Sequence, residues 1–348
     1  MAHEHLMHPQ VDSTRLAERL RVLFSLGDVT AFAPVYGGYM CHNYRVETPE
    51  GRFFLKQYRN KISTVVHEIK YAEEFFVEQG LPVILPVRDK FGRTAFWLDG
   101  HWLSLFPFIE ARTPKFSDID ERLIGEMGGL LARFHEVGAR FDEPHFQPIR
   151  LWDKRQFCME LVELEQELER RQPLSALDQR MRDLLTKKTQ LVAENRINRN
   201  EIPLPNDRLL HGDFIYSNLF VNEANEITHV YDVEKACMGP RAYEVARSLF
   251  INAFDDGWEE KNYRLGRTFL AAYTQRLPMS FEEFRLGVKL YLTTLIHMNW
   301  IEARYLVYGI DTQLAIYERH ARRVEWAAAG ADGFCEQVFP KEKPPRAV

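Results

Sequence analysis

Cysteine is scarce in this chain. Four thiols, Cys41, Cys158, Cys237 and Cys335, are spread through 348 residues, and no two form a CxxC pair. A disulfide framework is therefore not expected, and a reducing compartment fits better. Long apolar runs are also missing: none approaches the roughly 20 residues needed to span a bilayer. Positive excess is absent too. The net charge of −5 and a pI near 6.2 do not describe a wholly basic, nucleic-acid-binding chain. The opening "MAHEHLMHPQVDSTRL" lacks a basic region followed by an apolar segment, so it does not read as a signal peptide. His3, His5 and His8 read as a solvated terminus rather than a metal site. The expectation is a cytoplasmic protein with neither a membrane nor a nucleic acid as partner.

What the chain does have is apolar mass. Hydrophobic residues make up 45% of it, enough for a large core in two lobes. The first hundred or so residues read as an α+β unit. "DSTRLAERLRVLFSLG" places Leu16, Leu20, Leu23 and Phe24 on one helical face, with Gly27 to end it. "YRVET" and "RFFLKQY" flank the turn "PEG", and "TAFWL" and "HWLSLFPFI" flank "DG". Between these pairs, "STVVHEIKYAEEFFVEQG" is helical, with Val65, Ile69, Ala72, Phe75 and Phe76 facing a core and Gly80 closing it.

The character changes near Glu110–Pro114. A long amphipathic helix follows, opened by Ser117 with Asp120 three residues on. Residues 153–195 give two helices separated by Pro173. Residues 207–234 read as a small β region, and helices follow at about 242–254, 257–276, 280–307 and 311–328. The expected organisation is a strand-rich lobe over 1–110, a helical lobe over 111–335 with a short β insertion, and a polar tail over 336–348.

The β insertion carries the chemistry. "LLHGDFIYSNLFV" sets His211, Gly212 and Asp213 between apolar runs, with Asn218 five residues after Asp213. A further apolar run, "ITHVY", delivers Asp232 at its end, nineteen residues after Asp213. Asp213, Asn218 and Asp232 offer oxygen ligands, and hard cations prefer oxygen. Two carboxylates and an amide suit Mg²⁺, which fills its remaining positions with water and phosphate oxygens. Each residue alone could instead cap a turn.

The pattern HGD-x-x-x-x-N followed by this strand-end Asp resembles the aminoglycoside phosphotransferase and choline kinase superfamily, which shares the protein-kinase-like fold. HGD stands where protein kinases have HRD, and "YDVE" where they have DFG. "YDVEKACMGPRAYEVARSL" resembles the family segment in which a Gly-Pro turn leads into a helix with an acidic residue, here Glu244. The resemblance spans roughly residues 30–330 and implies an α+β fold of two lobes: a small antiparallel-sheet N-lobe and a mostly helical C-lobe. It implies an ATP- and Mg²⁺-dependent kinase acting on a hydroxyl of a small molecule, such as an amino alcohol, homoserine, a sugar or an aminoglycoside. Asp213 would accept or orient the hydroxyl proton. Asn218 and Asp232 would hold Mg²⁺, and His211 would hold the loop by hydrogen bonds.

The same resemblance assigns nucleotide-binding roles nearer the N-terminus. Lys56 would hold the α/β-phosphates, and a helix glutamate would position it. Register favours Glu68 over the neighbouring Glu73 and Glu74. Gly37 and Gly38 would let backbone approach phosphate, with Asn43 close by. Backbone around Phe106, Phe108 and Ile109 would meet adenine, and Pro107, lacking an amide hydrogen, leaves that donor to a neighbour. The chain departs from protein kinases at Val233, where DFG has an aromatic, and in a short glycine turn without GxGxxG. A bacterial stress-response-type Ser/Thr protein kinase shares this layout and is the alternative. A non-haem iron site built on His211, Asp213 and either His229 or His297 conflicts with the helical pattern after residue 240. A nucleotide-binding pseudoenzyme has no support, because every catalytic position is filled.

Overall fold

The computed structural model describes residues 12–35, 41–58, 61–143, 145–194, 202–328 and 333–339. They divide into two compact units, one drawn from Met1–Thr113 and Asn218–Ala236, the other from Pro114–Ser217 and Cys237–Val348.

The first unit is built on a five-stranded sheet in the order β1-β2-β3-β5-β4, with every neighbouring pair antiparallel. Its strands are β1 (Ala31–Val35), β2 (Cys41–Thr48), β3 (Gly51–Tyr58), β4 (Phe96–Leu98) and β5 (His101–Pro107). Thr48 pairs with Gly51, so Pro49 and Glu50 make the first hairpin turn. Asp99 and Gly100 make the second with φ of 50° and 82°. Positive φ at both positions matches the right-handed strand twist, which is why "DG" works there. Helix α1 (Ser13–Leu23) starts at Asp12, whose carboxylate accepts the Thr14 and Arg15 amides. It ends at Leu23, short of Gly27, which turns the chain later with φ +72°. Leu16, Leu20, Leu23 and Phe24 close over Val46, Leu55, Leu103 and Leu105 as the sheet's core. Helix α2 (Ser63–Glu78) runs between β3 and β4 in the chain and stops at Gly80, φ +76°.

Residues 218–236 belong with this unit rather than with the helical residues on either side of them. They form a hairpin of β7 (Leu219–Val221) and β8 (Ile227–Val230). The Val230 amide donates to the Pro82 carbonyl, Ile84 donates back to Val230, and Val221 donates to Arg112. Backbone bonds to 82–84 and to 112 fasten the hairpin, and residue order along the chain does not announce them.

The second unit is helical. Its elements are α3 (Glu121–Gly138), α4 (Lys154–Arg170), α5 (Ala176–Glu194), α6 (Arg241–Ala253), α7 (Glu260–Arg276), α8 (Phe281–Ile296), α9 (Trp300–Leu306), α10 (Leu314–Ala328) and α11 (Phe334–Val338). A two-stranded ladder joins β6 (Arg208–Leu210) to β9 (Cys237–Gly239). Three expectations shift. Helix α3 is capped by Asp120, which accepts the Leu123 amide at 2.8 Å, while Ser117 lies in the 3₁₀ turn before it. The helix expected over 280–307 breaks at His297–Asn299, where Lys188 Nζ takes the Met298 carbonyl at 2.7 Å. Val338 is buried, so the last turn of α11 packs as core at the start of the stretch read as a polar tail.

Candidate active site

The sheet unit carries a charged centre at Lys56. Lys56 sits on β3 with Asn43 as its partner on β2 and Ser104 on β5. Its side chain is 4% exposed, and its ammonium donates to Asp232 Oδ1 at 2.8 Å and also pairs with Glu234. Burial alone would lower the lysine pKa. The Asp232 and Glu234 carboxylates more than offset that and hold it well above the ordinary lysine range. Glu234 is almost wholly buried. Burial raises its pKa, but Lys56 and then Lys61 pull it down to about 2. The Cys41 thiol donates to Glu234 Oε1 at 2.9 Å, and burial keeps its pKa well above the usual thiol range.

Asp232 and Asn218 meet at the open end of the β7–β8 hairpin. Leu219 pairs with Val230, and the Tyr231 amide donates to the Asn218 carbonyl at 2.9 Å. Asp232 adopts φ +65°, left-handed for a residue with a Cβ. That conformation costs ~1–2 kcal/mol, and such strain gathers at functional positions. The Asp232 side chain is 31% exposed, which leaves carboxylate oxygen open beside the buried lysine. The donor set here is all oxygen, amide and carboxylate, which fits a hard cation that keeps water and phosphate ligands. Among the described residues no group of three or more His, Cys, Asp or Glu has metal-holding geometry. His229 bonds Thr228, and His297 bonds the Thr293 carbonyl.

Glu68 does not meet Lys56. It is half-buried and makes no hydrogen bond or ion pair among the described residues. The inward face of α2 carries Val66, Ile69, Lys70, Ala72, Glu73 and Phe76. Glu73 bonds Lys70 at 2.8 and 2.9 Å, and Lys56 is among the charges acting on it. Burial raises the Glu73 pKa, and Lys70 and Lys56 only partly offset the rise. The apolar stripe alone suggests a different register, because a buried Lys–Glu pair interrupts it. Gly37 and Gly38 lie outside the described residues. Asn43 lies beside Lys56, and its buried side-chain oxygen has no hydrogen-bond partner among the described residues. Phe106 is buried at the end of β5, edge-on to Tyr231. The Phe108 amide donates to the Arg52 carbonyl at 3.2 Å. With Pro107 lacking a donor, Ile109 is the residue whose amide stands next in line.

The helical unit carries Asp213. His211 is fully buried, and its Nδ1 accepts the Asp213 amide at 3.2 Å, so it shapes the loop from inside. Gly212 takes φ +83°, which a side chain would strain. Helix α6 supports this loop on three successive turns. Glu244 accepts the His211 and Gly212 amides and pairs with His135 at 2.9 Å. Burial raises the Glu244 pKa, and His135 more than offsets it, so the carboxylate stays ionised. Arg247 pairs with Asp213 Oδ1 at 2.5 Å. Ser248 and Asn252 hold the Phe214 carbonyl at 2.8 and 3.2 Å. Sequence reasoning singled out Glu244 but missed Arg247, Ser248, Asn252 and Glu234. The signal for Ser248 and Asn252 was polar residues recurring at 244, 248 and 252, one helical face turned inward, and Arg247 lies beside it, three residues after Glu244.

A basic strand opposite a buried acidic hairpin, together with a helix-braced HGD loop, defines the protein-kinase-like class. The chain belongs to the phosphotransferase enzyme family, whose model matches residues 32–279. Solved structures with this fold include spectinomycin phosphotransferase with ADP and spectinomycin. It is 15% identical, covers 93% of this chain and 98% of its own, and has a TM-score of 0.61. A microcompartment-associated aminopropanol kinase is 15% identical over 94% of this chain and 99% of its own, TM-score 0.64. A choline kinase from Cryptosporidium parvum Iowa II is 13% identical over 93% and 98%, TM-score 0.62.

Proposed function

We propose that this phosphotransferase moves the γ-phosphoryl group of ATP to a hydroxyl of a small molecule. The observation that carries the reading is the Lys56–Asp232–Glu234 centre. It sets a fully charged lysine against a partly open carboxylate, the arrangement that α/β-phosphates and their cation require. Lys56 would exchange its contact with Asp232 for phosphate oxygen, while Glu234 keeps the ammonium in place. Asn218 and Asp232 would hold Mg²⁺, which when bound offsets the charge of the phosphate oxygens. Backbone at Phe106, Phe108 and Ile109 would meet adenine, with Ile109 as donor.

Asp213 would take the proton of the acceptor hydroxyl as that oxygen forms its bond to phosphorus and ADP departs with the broken bond's electrons. Arg247 acts as a positioning residue, fixing the carboxylate that does this. His211 stays structural. Positioning and charge neutralisation supply most of the catalysis in this chemistry. A small-molecule acceptor, rather than a protein one, is favoured by neighbours whose names record spectinomycin, aminopropanol and choline.

Labelled γ-phosphate from ATP, offered with Mg²⁺ to a metabolite extract and to a protein extract, tests the reading. Label should enter a small molecule and be lost in Asp213→Asn, with nucleotide affinity kept. Equal turnover in that variant removes Asp213 from its role, and label confined to protein turns the assignment to a protein kinase.

A further inference from the structure

Asp255 is buried just beyond the end of α6 and is shared by two guanidinium groups, Arg319 and Arg323 of α10. Other paired arginines of the helical unit have at least one carboxylate each: Arg180 has Glu318 and Glu325, Arg241 has Glu283, Arg276 has Glu136. At Asp255 one negative charge serves two positive ones.

The pair is also incompletely satisfied. Among the described residues Arg323 Nε is buried without a hydrogen-bond partner. Arg319 is a third exposed, so the cluster can be reached from solvent. Its position relative to the chemistry is set by covalent neighbours. Tyr216 lies three residues after Asp213, and its hydroxyl bonds Asp255 at 3.3 Å and receives Arg319 at 3.5 Å. The Tyr216 amide bonds Asn252 at 2.8 Å, on the same helix whose Arg247 grips Asp213.

We propose that Arg319 and Arg323 form an anion subsite for the acceptor, so that the alcohol phosphorylated by this enzyme carries a carboxylate or phosphate group. Asp255 then acts as a positioning residue. It aligns both guanidinium forks and leaves a net positive charge for the ligand, and bidentate arginine geometry suits either anion. Asp255 offers no free negative charge to a cationic acceptor, because both arginines take it, and Asp256 is taken by Lys261 and Asn262.

The inference rests on the phosphotransferase reading, and one experiment separates the two. A metabolite extract is passed over an anion exchanger at alkaline pH, where amines are neutral and carboxylates and phosphates are retained. Retained and unretained fractions are neutralised and offered separately with Mg²⁺ and γ-labelled ATP. Label should enter the retained fraction. For that acceptor Arg323→Gln should raise KM about 10- to 100-fold, the loss of one charge-assisted hydrogen bond, with kcat and MgATP affinity little changed. Arg323→Lys should recover part of the loss. Arg319→Gln, at a more exposed site, provides the same readout if the first variant folds poorly. Phosphatase treatment of the retained fraction beforehand tells a carboxylate acceptor, which survives, from a phosphate one. Label confined to the unretained fraction, or unchanged KM in both folded variants, overturns the inference and leaves the phosphotransferase standing. Label in neither fraction overturns both.

Discussion

Lys56 is nearly enclosed, and a buried ammonium with one carboxylate would be only partly compensated. Two carboxylates, Asp232 and Glu234, hold it charged, and they differ in a useful way: Asp232 is partly open and Glu234 is not. The proposed exchange, in which Asp232 leaves the lysine for a cation while Glu234 stays, needs that difference. The depressed Glu234 pKa makes this arrangement visible in stability. Its folded value is about 2 against an ordinary 4.5. A depressed carboxylate stabilises the fold fully above its unfolded value and loses that contribution as pH falls toward the folded one. Glu234→Gln should therefore be less stable than wild type at pH 7, and the gap in urea midpoint should close between about pH 5 and pH 2. A gap independent of pH would mean the glutamate packs there without its charge. Lys56, Asp213, Asn218 and Asp232 stand out in the sequence by type and spacing. Glu234 stood two residues past Asp232 within a quoted motif, yet nothing local shows that it lies against a strand nearly 180 residues earlier. That fact belongs to the hairpin's docking, not to its composition.

At the scale of elements, the helices that brace the loop approach closely because glycine lets them. A Cβ at Gly138 of α3 would collide with the Leu209 carbonyl on β6, two residues before His211, and one at Gly128 would collide with the Phe269 carbonyl of α7. One at Gly129 would meet nothing. Neighbouring substitutions should then act with opposite sign: Gly128→Ala destabilises by about 1–3 kcal/mol through overpacking, and Gly129→Ala stabilises by ~0.5–1 kcal/mol through helix propensity. Thermal or urea unfolding of the two variants checks this; equal effects would contradict the packing account. Gly138→Ala should also lower kcat, since it displaces the strand that leads into HGD. The helices themselves were legible from periodicity. The facing of α2 was not, because Lys70 and Glu73 are buried as a pair and hydrophobic periodicity counts them as surface. Glu68 was favoured for that reason, and the carboxylates that Lys56 meets lie on the hairpin instead.

For the whole molecule, a match over residues 32–279 shows the phosphotransferase family, and the fold is one shared with kinases of small molecules. The order of strand lysine, HGD loop and strand-end aspartate is readable in the sequence because the proposed phosphoryl transfer calls for those residue types. The Asp255–Arg319–Arg323 cluster was not, since its members lie 64 and 68 residues apart in the chain and carry no shared motif. In the proposed reaction Lys56 and the β7–β8 hairpin receive a metal-nucleotide. Calorimetric titration of ATP, with and without Mg²⁺, into wild type, Lys56→Met, Asp232→Asn and Asp213→Asn tests it most directly. The account predicts Mg²⁺-dependent binding in wild type and in Asp213→Asn, binding weakened at least about tenfold in Lys56→Met, and loss of the Mg²⁺ dependence in Asp232→Asn. Wild-type affinity and Mg²⁺ dependence retained in both the Lys56 and Asp232 variants would contradict it.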